Sequence, residues 1–230
     1  MRILFVRHGQ TPANVRGILD TAAPGPGLTE LGTRQAHAVV EALGHESIAA
    51  IYVSKLLRTH ETAAPLAAAL GLTPVELDGT HEIEAGDVEG RSDHDAVRTY
   101  MTTVFAWGSG DPSPVMPGGP DGHAFFARFD GAIAQVAAEH PVDATVVVVS
   151  HGAAIRVWTG ARVRNLGDGF TADNHLDNTG IVVVDGSPEA GWTALSWGGV
   201  PVGGAQLADP TADDPTGDAL DEALDDPRDR

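Results

Sequence analysis

Three short apolar runs that do not alternate with polar residues are the feature that most constrains the fold of this chain. They are "RILFV" (2–6), "AAIYVS" (49–54) and "ATVVVVS" (144–150). Continuous apolar strands are typical of a parallel sheet that is covered on both faces. Two further runs predict additional strands, "GIVVVD" (180–185) and "WTALSW" (192–197).

Helical patterns lie between these strands. Apolar residues recur at helical spacing over 28–43, with Thr29 in the N-cap position and Gly44 as the stop. An alanine-rich helix is predicted over 56–70, where Pro65 is expected to kink or divide it.

Further helices are predicted over 122–139 and after Gly152, and the Gly- and Pro-rich stretch 107–122 indicates a long exposed loop. Strands that alternate with helices predict an α/β fold with a mostly parallel sheet.

Length and composition indicate one folded domain with an acidic end. The 230 residues, 42% of them hydrophobic, are enough to bury one core. Residues 208–230 contain three prolines, nine acidic residues and two arginines, hence a net charge of −7. Such a composition is typical of disorder. We therefore expect one domain over 1–204 and an acidic, disordered tail over 205–230, which either binds a partner or only solubilises the chain.

Composition also excludes several classes of function. A formal charge of −18, from 14 Lys+Arg and 32 Asp+Glu, argues against nucleic-acid binding. We expect a soluble, cytoplasmic protein without a membrane partner, because neither a signal-peptide pattern nor a bilayer-length apolar run is found. The absence of cysteine excludes disulfides and thiolate metal ligands. Since Lys55 is the single lysine, arginines would do most of the anion binding.

Polar and charged residues follow each of the first three strands. These are the segments "RHG" (7–9), "SKLLR" (54–58) and "SHG" (150–152). Ligands of open α/β sheets bind at the carboxyl ends of the strands. We therefore expect Arg7, His8, Arg58 and His151 to lie together at one edge of the sheet.

Two histidines and two arginines at one edge favour phosphoryl transfer through a phosphohistidine. A guanidinium group matches the geometry of phosphate oxygens, and a neutral imidazole can act as a nucleophile. The arginines would also repel a metal cation, and no acidic residue lies in the strand-end tripeptides to complete a metal site. A proton donor for the leaving oxygen is required in addition.

Taken together, these segments make the chain resemble the histidine phosphatase superfamily, also called phosphoglycerate mutase-like. The resemblance covers about residues 2–185 and includes the order and spacing of five motifs. They are "VRHGQTPAN", "LTELGTRQA", "SKLLRTHETA", "HEIEAGDVEG" and "VVVVSHGAAIR". It implies a phosphoglycerate mutase-like fold with three layers, α/β/α, helices on both faces of the sheet, and a cap segment at about 91–125.

The resemblance also implies a role for each matching residue. His8 aligns with the nucleophile that becomes phosphorylated, and the rest of the phosphate pocket aligns with Arg7, Arg58 and His151. Asn14 matches a polar residue that touches the phosphate, although it could instead cap a turn. The other expected substrate contacts are Thr11 and the backbone N–H groups near Gly152 and Ala153.

The proton donor of the family matches Glu82 in "EIEAG", with Glu84, Asp87 and Glu89 as rival acids nearby. The implied mechanism has two steps and involves no metal or cofactor. His8 attacks phosphorus while Glu82 protonates the leaving oxygen, and water then hydrolyses the phosphohistidine.

Several features favour a phosphatase over a mutase. The cap is short and offers Arg91, Arg98 and Arg128, whereas mutases of the family carry more basic residues there. Ala13 replaces a usual aromatic residue, and "PGGPDG" replaces the "PGGES" of many family phosphatases. We expect hydrolysis of a small phosphorylated metabolite. Mutase activity, phosphoprotein dephosphorylation and a catalytically silent binding module stay open, as do the oligomeric state and any role of His175.

Overall fold

A six-stranded sheet forms the centre of the structure. The computed structural model describes residues 1–225. The strands are β1 (Arg2–Arg7), β2 (Ile48–Val53), β3 (Val75–Glu76), β4 (Thr145–Ser150), β5 (Ile181–Ser187) and β6 (Gly191–Gly198). Their order in the sheet is β3-β2-β4-β1-β5-β6. β1 to β4 are parallel, whereas β5 and β6 are antiparallel to their neighbours, so the predicted mostly parallel sheet is confirmed.

Over the described part of the chain, five longer helices and three short ones surround the sheet. The longer helices are α2 (Glu30–Leu43), α3 (Leu57–Leu70), α4 (His94–Gly108), α5 (Gly122–Glu139) and α6 (Gly152–Arg162). The short ones are α1 (Pro12–Val15), α7 (Phe170–Asp173) and α8 (Leu220–Ala223). The predicted caps of α2 are confirmed, since the Thr29 side chain accepts a hydrogen bond from the Gly32 N–H and Gly44 ends the helix. Pro65 lies inside α3 without dividing it. Within residues 1–225, no helix is both long and apolar enough to cross a membrane.

Alternate residues of the central strands pack into two separate cores. Ile3 and Phe5 of β1 lie in a core with residues of α4, α5 and α6, such as Trp107, Phe129 and Trp158. Leu4 and Val6 lie on the opposite face in a core with residues of α2 and α3. Successive side chains of a strand point to opposite faces, so helices on both sides bury the whole strand. The three-layer α/β/α architecture is confirmed.

The predicted loop over 107–122 connects α4 and α5 and is mostly exposed or half-buried, but two of its large side chains are buried. Trp107 belongs to α4, is fully buried and donates a hydrogen bond to the Pro114 carbonyl at 2.9 Å. Met116 in the same stretch is also fully buried. The stretch 107–122 is therefore anchored by Trp107 at the end of α4 and by Met116 in the loop, which composition alone did not indicate.

The acidic end also differs from the predicted disordered tail over 205–230. Residues 205–225 pack against the domain, with a 3₁₀ turn at Ala205–Leu207 and α8 near the end. The positive partners of its carboxylates lie far away along the chain, for example Arg7, which pairs with Asp214 at 2.7 Å. Residues 226–230 lie outside the described residues.

Candidate active site

The strand register brings the predicted site residues to one edge of the sheet. Arg7 at the end of β1 lies opposite Ser150 at the end of β4, so His8 and His151 follow side by side. Their ring centroids are 5.2 Å apart. β5 is antiparallel to β1, and the residues before it therefore reach the same edge. There the Asn178 side-chain amide donates to the His8 carbonyl oxygen at 3.1 Å.

One cavity at this edge is lined by residues from widely separated segments. They include His8, Thr11, Asn14, Arg58 and Glu82. Two glycines allow the loop after β1 to lie against the start of α2. A Cβ at Gly9 would lie 2.7 Å from the Gly32 carbonyl oxygen, and a Cβ at Gly32 would collide with the Gln10 carbonyl oxygen. The apolar part of β1 therefore fixes where His8 lies, and these glycines fix the path of the chain after it.

The surroundings of His8 favour a neutral imidazole with a free lone pair on Nε2. Its Nδ1 lies 2.8 Å from the Gly9 carbonyl oxygen. Because a carbonyl oxygen only accepts, this contact assigns the proton to Nδ1 and leaves the lone pair on Nε2. Burial lowers the pKa of His8 well below its ordinary value, and the positive charges of Arg58 and Arg7 lower it further. His8 is therefore neutral at neutral pH.

His151 is oriented by Ser54, which stands at the end of β2. The Ser54 hydroxyl oxygen lies 2.7 Å from His151 Nε2 and accepts a hydrogen bond from the Leu56 N–H at 3.2 Å. We assign the hydroxyl hydrogen to the contact with Nε2 rather than to the longer one with the Thr59 hydroxyl at 3.3 Å, and this places the imidazole proton on Nδ1. Burial and the charge of Arg58 lower the pKa of His151 well below its ordinary value. The resulting Nδ1–H is a donor for an anion.

Loss of the Ser54 hydroxyl is expected to weaken this donor. In Ser54→Ala, His151 can take the other tautomer, and we expect kcat/KM to fall by about tenfold. Ser54→Thr, which keeps a hydroxyl group, and Ser47→Ala at an exposed position serve as controls. Steady-state hydrolysis of p-nitrophenyl phosphate measures the effect. An unchanged kcat/KM in Ser54→Ala would contradict the assigned tautomer.

Arg7 and Arg58 bring two buried positive charges to the site. Burial lowers the pKa of Arg7, but the charge of Asp214 more than compensates and raises it above its ordinary value. Burial lowers the pKa of Arg58 despite the opposing charge of Asp20, which lies 3.2 Å from Arg58 Nη1. Each guanidinium group thus has one acidic partner in the structure.

Unpartnered hydrogen-bonding atoms cluster at this site. Over residues 1–225, four buried side-chain nitrogens have no hydrogen-bond partner, and three of them belong to the predicted phosphate pocket. They are Arg7 Nε, Arg58 Nε and His151 Nδ1. Leaving a buried donor unpaired costs about 1–3 kcal/mol, which is why such donors are rare in folded proteins. Donors of this kind suit an anion with several oxygens.

Glu82 has the environment of a proton donor. Its carboxyl group is buried and accepts hydrogen bonds from the backbone N–H groups of Ile83, Ala153 and Ala154 at 2.8, 3.2 and 2.9 Å. Burial raises the pKa of Glu82, and these N–H groups and Arg58 oppose that rise without cancelling it. A raised pKa keeps the proton available for transfer at higher pH.

The rival acids have other partners. The pKa of Glu84 falls to about 2 despite its partial burial, because His81 donates to it at 2.9 Å and Arg128 lies at 3.3 Å. Glu89 accepts hydrogen bonds from Thr21, and Asp87 is exposed. Only Glu82 of these four acids lines the cavity that contains His8.

Most of the groups predicted to contact the substrate already have hydrogen-bond partners within the protein. The Thr11 hydroxyl donates to Asn14 Oδ1 at 2.9 Å and caps α1, so both residues hold a turn. Asn14 also uses its amide group, which donates to Asp214 at 3.1 Å. The Ala153 N–H donates to Glu82 instead of standing free, and a Cβ at Gly152 would lie 3.0 Å from Arg7 Nε. Gly152 thus leaves room for the guanidinium group of Arg7.

Two acids at this site, Asp20 and Asp214, were not predicted from the sequence. Both pair with the pocket arginines, at 3.2 and 2.7 Å. Asp20 lies in the loop after α1, and Asp214 lies in the segment predicted to be disordered. No motif marks either residue, because their partners are set by the fold and not by nearby sequence.

His175, whose role the sequence left open, pairs with Glu222 at 3.1 Å.

Comparison with known proteins places these observations in a family. The family model described as "Histidine phosphatase superfamily (branch 1)" matches residues 3–199. The chain is 42% identical over 222 residues to the PE-PGRS family protein PE_PGRS11 of Mycobacterium tuberculosis, covering 90% of this chain and 38% of that protein. It therefore spans well under half the length of that curated relative.

Two further relatives are named as phosphatases. Phosphoserine phosphatase 1 of Hydrogenobacter thermophilus is 29% identical over 160 residues, which cover 68% of this chain and 73% of that protein. The native structure of mycobacterial glucosyl-3-phosphoglycerate phosphatase aligns with a TM-score of 0.72 at 26% identity, covering 86% of this chain and 99% of that one. Family model, fold and site agree, and the chain belongs to the histidine phosphatase superfamily.

Proposed function

We propose that this chain is a metal-independent phosphomonoester hydrolase that acts through a phosphohistidine on a small phosphorylated metabolite. The observation that carries the proposal is the grouping of neutral His8 and buried Glu82 in one cavity, beside the unpartnered donors of Arg7, Arg58 and His151. Nucleophile, proton donor and anion-binding groups are the parts that phosphoryl transfer needs.

In the first step, His8 Nε2 forms a bond to phosphorus while the bond from phosphorus to the ester oxygen breaks. Glu82 gives its proton to that oxygen, so an alcohol leaves instead of an alkoxide. The guanidinium groups of Arg7 and Arg58 and the His151 Nδ1–H hold the oxygens of the transferred group as their charge changes.

In the second step, water attacks the phosphohistidine. Glu82, now a carboxylate, takes a proton from the water as the bond from phosphorus to Nε2 breaks. Inorganic phosphate leaves, and both His8 and Glu82 return to their starting protonation states.

The cap supports hydrolysis over mutase chemistry. None of Arg91, Arg98 and Arg128, all within the described residues, lines the cavity with His8. Arg91 pairs with Asp93 at the surface, and Arg128 donates to backbone carbonyl oxygens between Gly79 and Glu82. Arg91 and Arg128 are thus engaged elsewhere and Arg98 is exposed, so a substrate carboxylate in the cavity would lack the positive partner that a mutase needs. The relatives named for phosphoserine and glucosyl-3-phosphoglycerate support a small substrate. The cytoplasmic location stays a prediction.

Assays of the full chain in EDTA test the proposal. The panel contains phosphoserine, glucosyl-3-phosphoglycerate, 3-phosphoglycerate, a phosphopeptide and p-nitrophenyl phosphate. We expect inorganic phosphate release without added metal, fastest from one of the small metabolites. Two results would contradict the proposal: hydrolysis that requires a divalent metal, or conversion of 3-phosphoglycerate to its 2-isomer without phosphate release.

A further inference from the structure

The acidic segment over 209–218 reaches into the predicted phosphate pocket. Arg7 Nη2 contacts both carboxylate oxygens of Asp214, at 2.8 and 2.7 Å, and the Asn14 amide donates to one of them at 3.1 Å. The Thr216 hydroxyl oxygen accepts a further hydrogen bond from Arg7 Nη2 at 3.0 Å. Asp214, Pro215 and Thr216 line the same cavity as His8. The carboxylate of Asp214 thus binds two of the groups expected to bind phosphate.

The space left in the cavity is too small for a substrate. Its volume is about 20 Å³, room for about one water molecule. A phosphoryl group with its oxygens does not fit in that space. A carboxylate and a phosphate present similar paired oxygens to a guanidinium group, so the two compete for Arg7. Substrate binding therefore requires Asp214 to move.

The segment fits the site closely. A Cβ at Gly217 would collide with Arg7 Nη1, and a Cβ at Gly152 would lie 2.6 Å from the Thr216 carbonyl oxygen. Arg156 Nη1 donates to the carbonyl oxygens of Thr216 and Asp218 at 3.0 and 2.7 Å. Several residues of the segment 209–218 therefore contact the pocket or the residues beside it.

The packed segment gathers acidic side chains beside the domain, and their mutual repulsion opposes this contact. A second cavity of about 380 Å³ lies between the segment and the domain. Five carboxylates line it: Asp177, Asp209, Asp214, Asp218 and Glu222. Burial, together with the charge of Asp214, raises the pKa of Asp218 to about 7. Like charges that are gathered in this way repel each other, so the closed arrangement is weaker than its hydrogen bonds alone indicate.

We propose that residues 209–218 are an internal competitor for the active site, in which the Asp214 carboxylate takes the place of phosphoryl oxygens until a substrate phosphate displaces it. The inference rests on the proposed function, since it takes the pocket of Arg7, Asn14 and His8 as the phosphate site. Asp214 would then set how strongly a phosphomonoester must bind in order to open the site.

Titration calorimetry with inorganic phosphate tests the inference in the full chain. In Asp214→Asn, the amide competes less well for Arg7, and we expect phosphate to bind about tenfold more tightly, with a matching fall in KM for p-nitrophenyl phosphate. Asp213→Asn makes the same charge change at an exposed neighbour and is expected to bind phosphate as the wild type does. Unchanged or weaker phosphate binding by Asp214→Asn would overturn the inference.

Hydrogen exchange of the wild type gives a second readout that needs no variant. Saturating phosphate is expected to speed exchange of the Leu176 amide, which donates to the Gly217 carbonyl oxygen at 2.9 Å, and of the amides in 209–218, because the turns of the displaced segment lose their packing against the domain. Equal or slower exchange would show that the segment stays in place, and would also overturn the inference. If hydrolysis depends on His8, but Asp214→Asn does not bind phosphate more tightly and phosphate does not speed the exchange, the inference is wrong and the proposed function still holds. If wild type and Asp214→Asn neither hydrolyse phosphomonoesters nor bind phosphate, both the proposed function and the inference are wrong.

Discussion

The His8→Ala variant is expected to lose at least about a thousandfold in kcat/KM. Without an imidazole at this position, the remaining groups can only assist a direct attack by water on the bound ester. A covalent route splits one difficult displacement into two easier ones, and that advantage disappears with the nucleophile. The fold is expected to survive, because the His8 ring makes only a local hydrogen bond to Gly9.

Steady-state hydrolysis of p-nitrophenyl phosphate measures this loss, with the thermal unfolding midpoint as a check on folding. His45→Ala removes an exposed histidine and is expected to keep wild-type activity. A His8→Ala protein that is folded and retains more than about a tenth of wild-type kcat/KM would show that another group attacks phosphorus.

The Glu82→Gln variant is expected to separate substrates by their leaving groups. An alkyl phosphate releases a strongly basic oxygen, and for such a substrate we expect kcat to fall by about a hundredfold or more. p-Nitrophenolate is a weak base that needs little protonation, so its release is expected to slow much less. Phosphoserine and p-nitrophenyl phosphate, assayed side by side, measure the difference.

The pH profile gives an independent test of the same residue. A general acid must be protonated, so the wild-type rate falls as pH rises through the pKa of Glu82, which burial places above its ordinary value. Glutamine does not titrate, and this alkaline decline is expected to disappear in Glu82→Gln. Neutral His8 is retained down to low pH, because its pKa is lowered.

Glu84→Gln is the matched control for Glu82. It lies on the same loop, but its carboxyl group pairs with His81 and Arg128 and has a pKa of about 2. It is therefore ionised across the working range and is expected to keep the leaving-group dependence and the pH profile. If Glu82→Gln slowed both substrates equally, or kept the alkaline decline, the proton donor would be a different residue.

The sequence predicted the arrangement of the site because strand ends have a simple geometric consequence. Arg7 and Ser150 occupy equivalent ends of two parallel strands, so a histidine after each strand must reach the same edge. The position of Arg58 at this edge follows from the same rule, because Arg58 lies at the start of the helix after β2. Glu82 was found through the family resemblance and not from a strand end, and its rivals were separated only by burial and hydrogen-bond partners.

The acidic segment shows what the sequence could not predict. Its composition is typical of a solvated chain. Composition does not indicate which distant residues the acidic side chains contact in the folded protein. Arg7 and Asp214 are 207 positions apart, and their pairing depends on the path of the whole domain between them. The same reason explains the Ala153 N–H, which was expected to face phosphate but bonds to Glu82.

Trapping the covalent intermediate shows which atom accepts the phosphoryl group. Wild-type protein is mixed with radiolabelled phosphoserine, stopped within one turnover by alkali, since phosphohistidine is labile in acid, and digested for mass spectrometry. We expect a transient phosphoryl group on His8, formed before inorganic phosphate is released and absent from His8→Ala. A phosphoryl group on any other residue, or phosphate release at full rate with no labelled protein at any time, would contradict it.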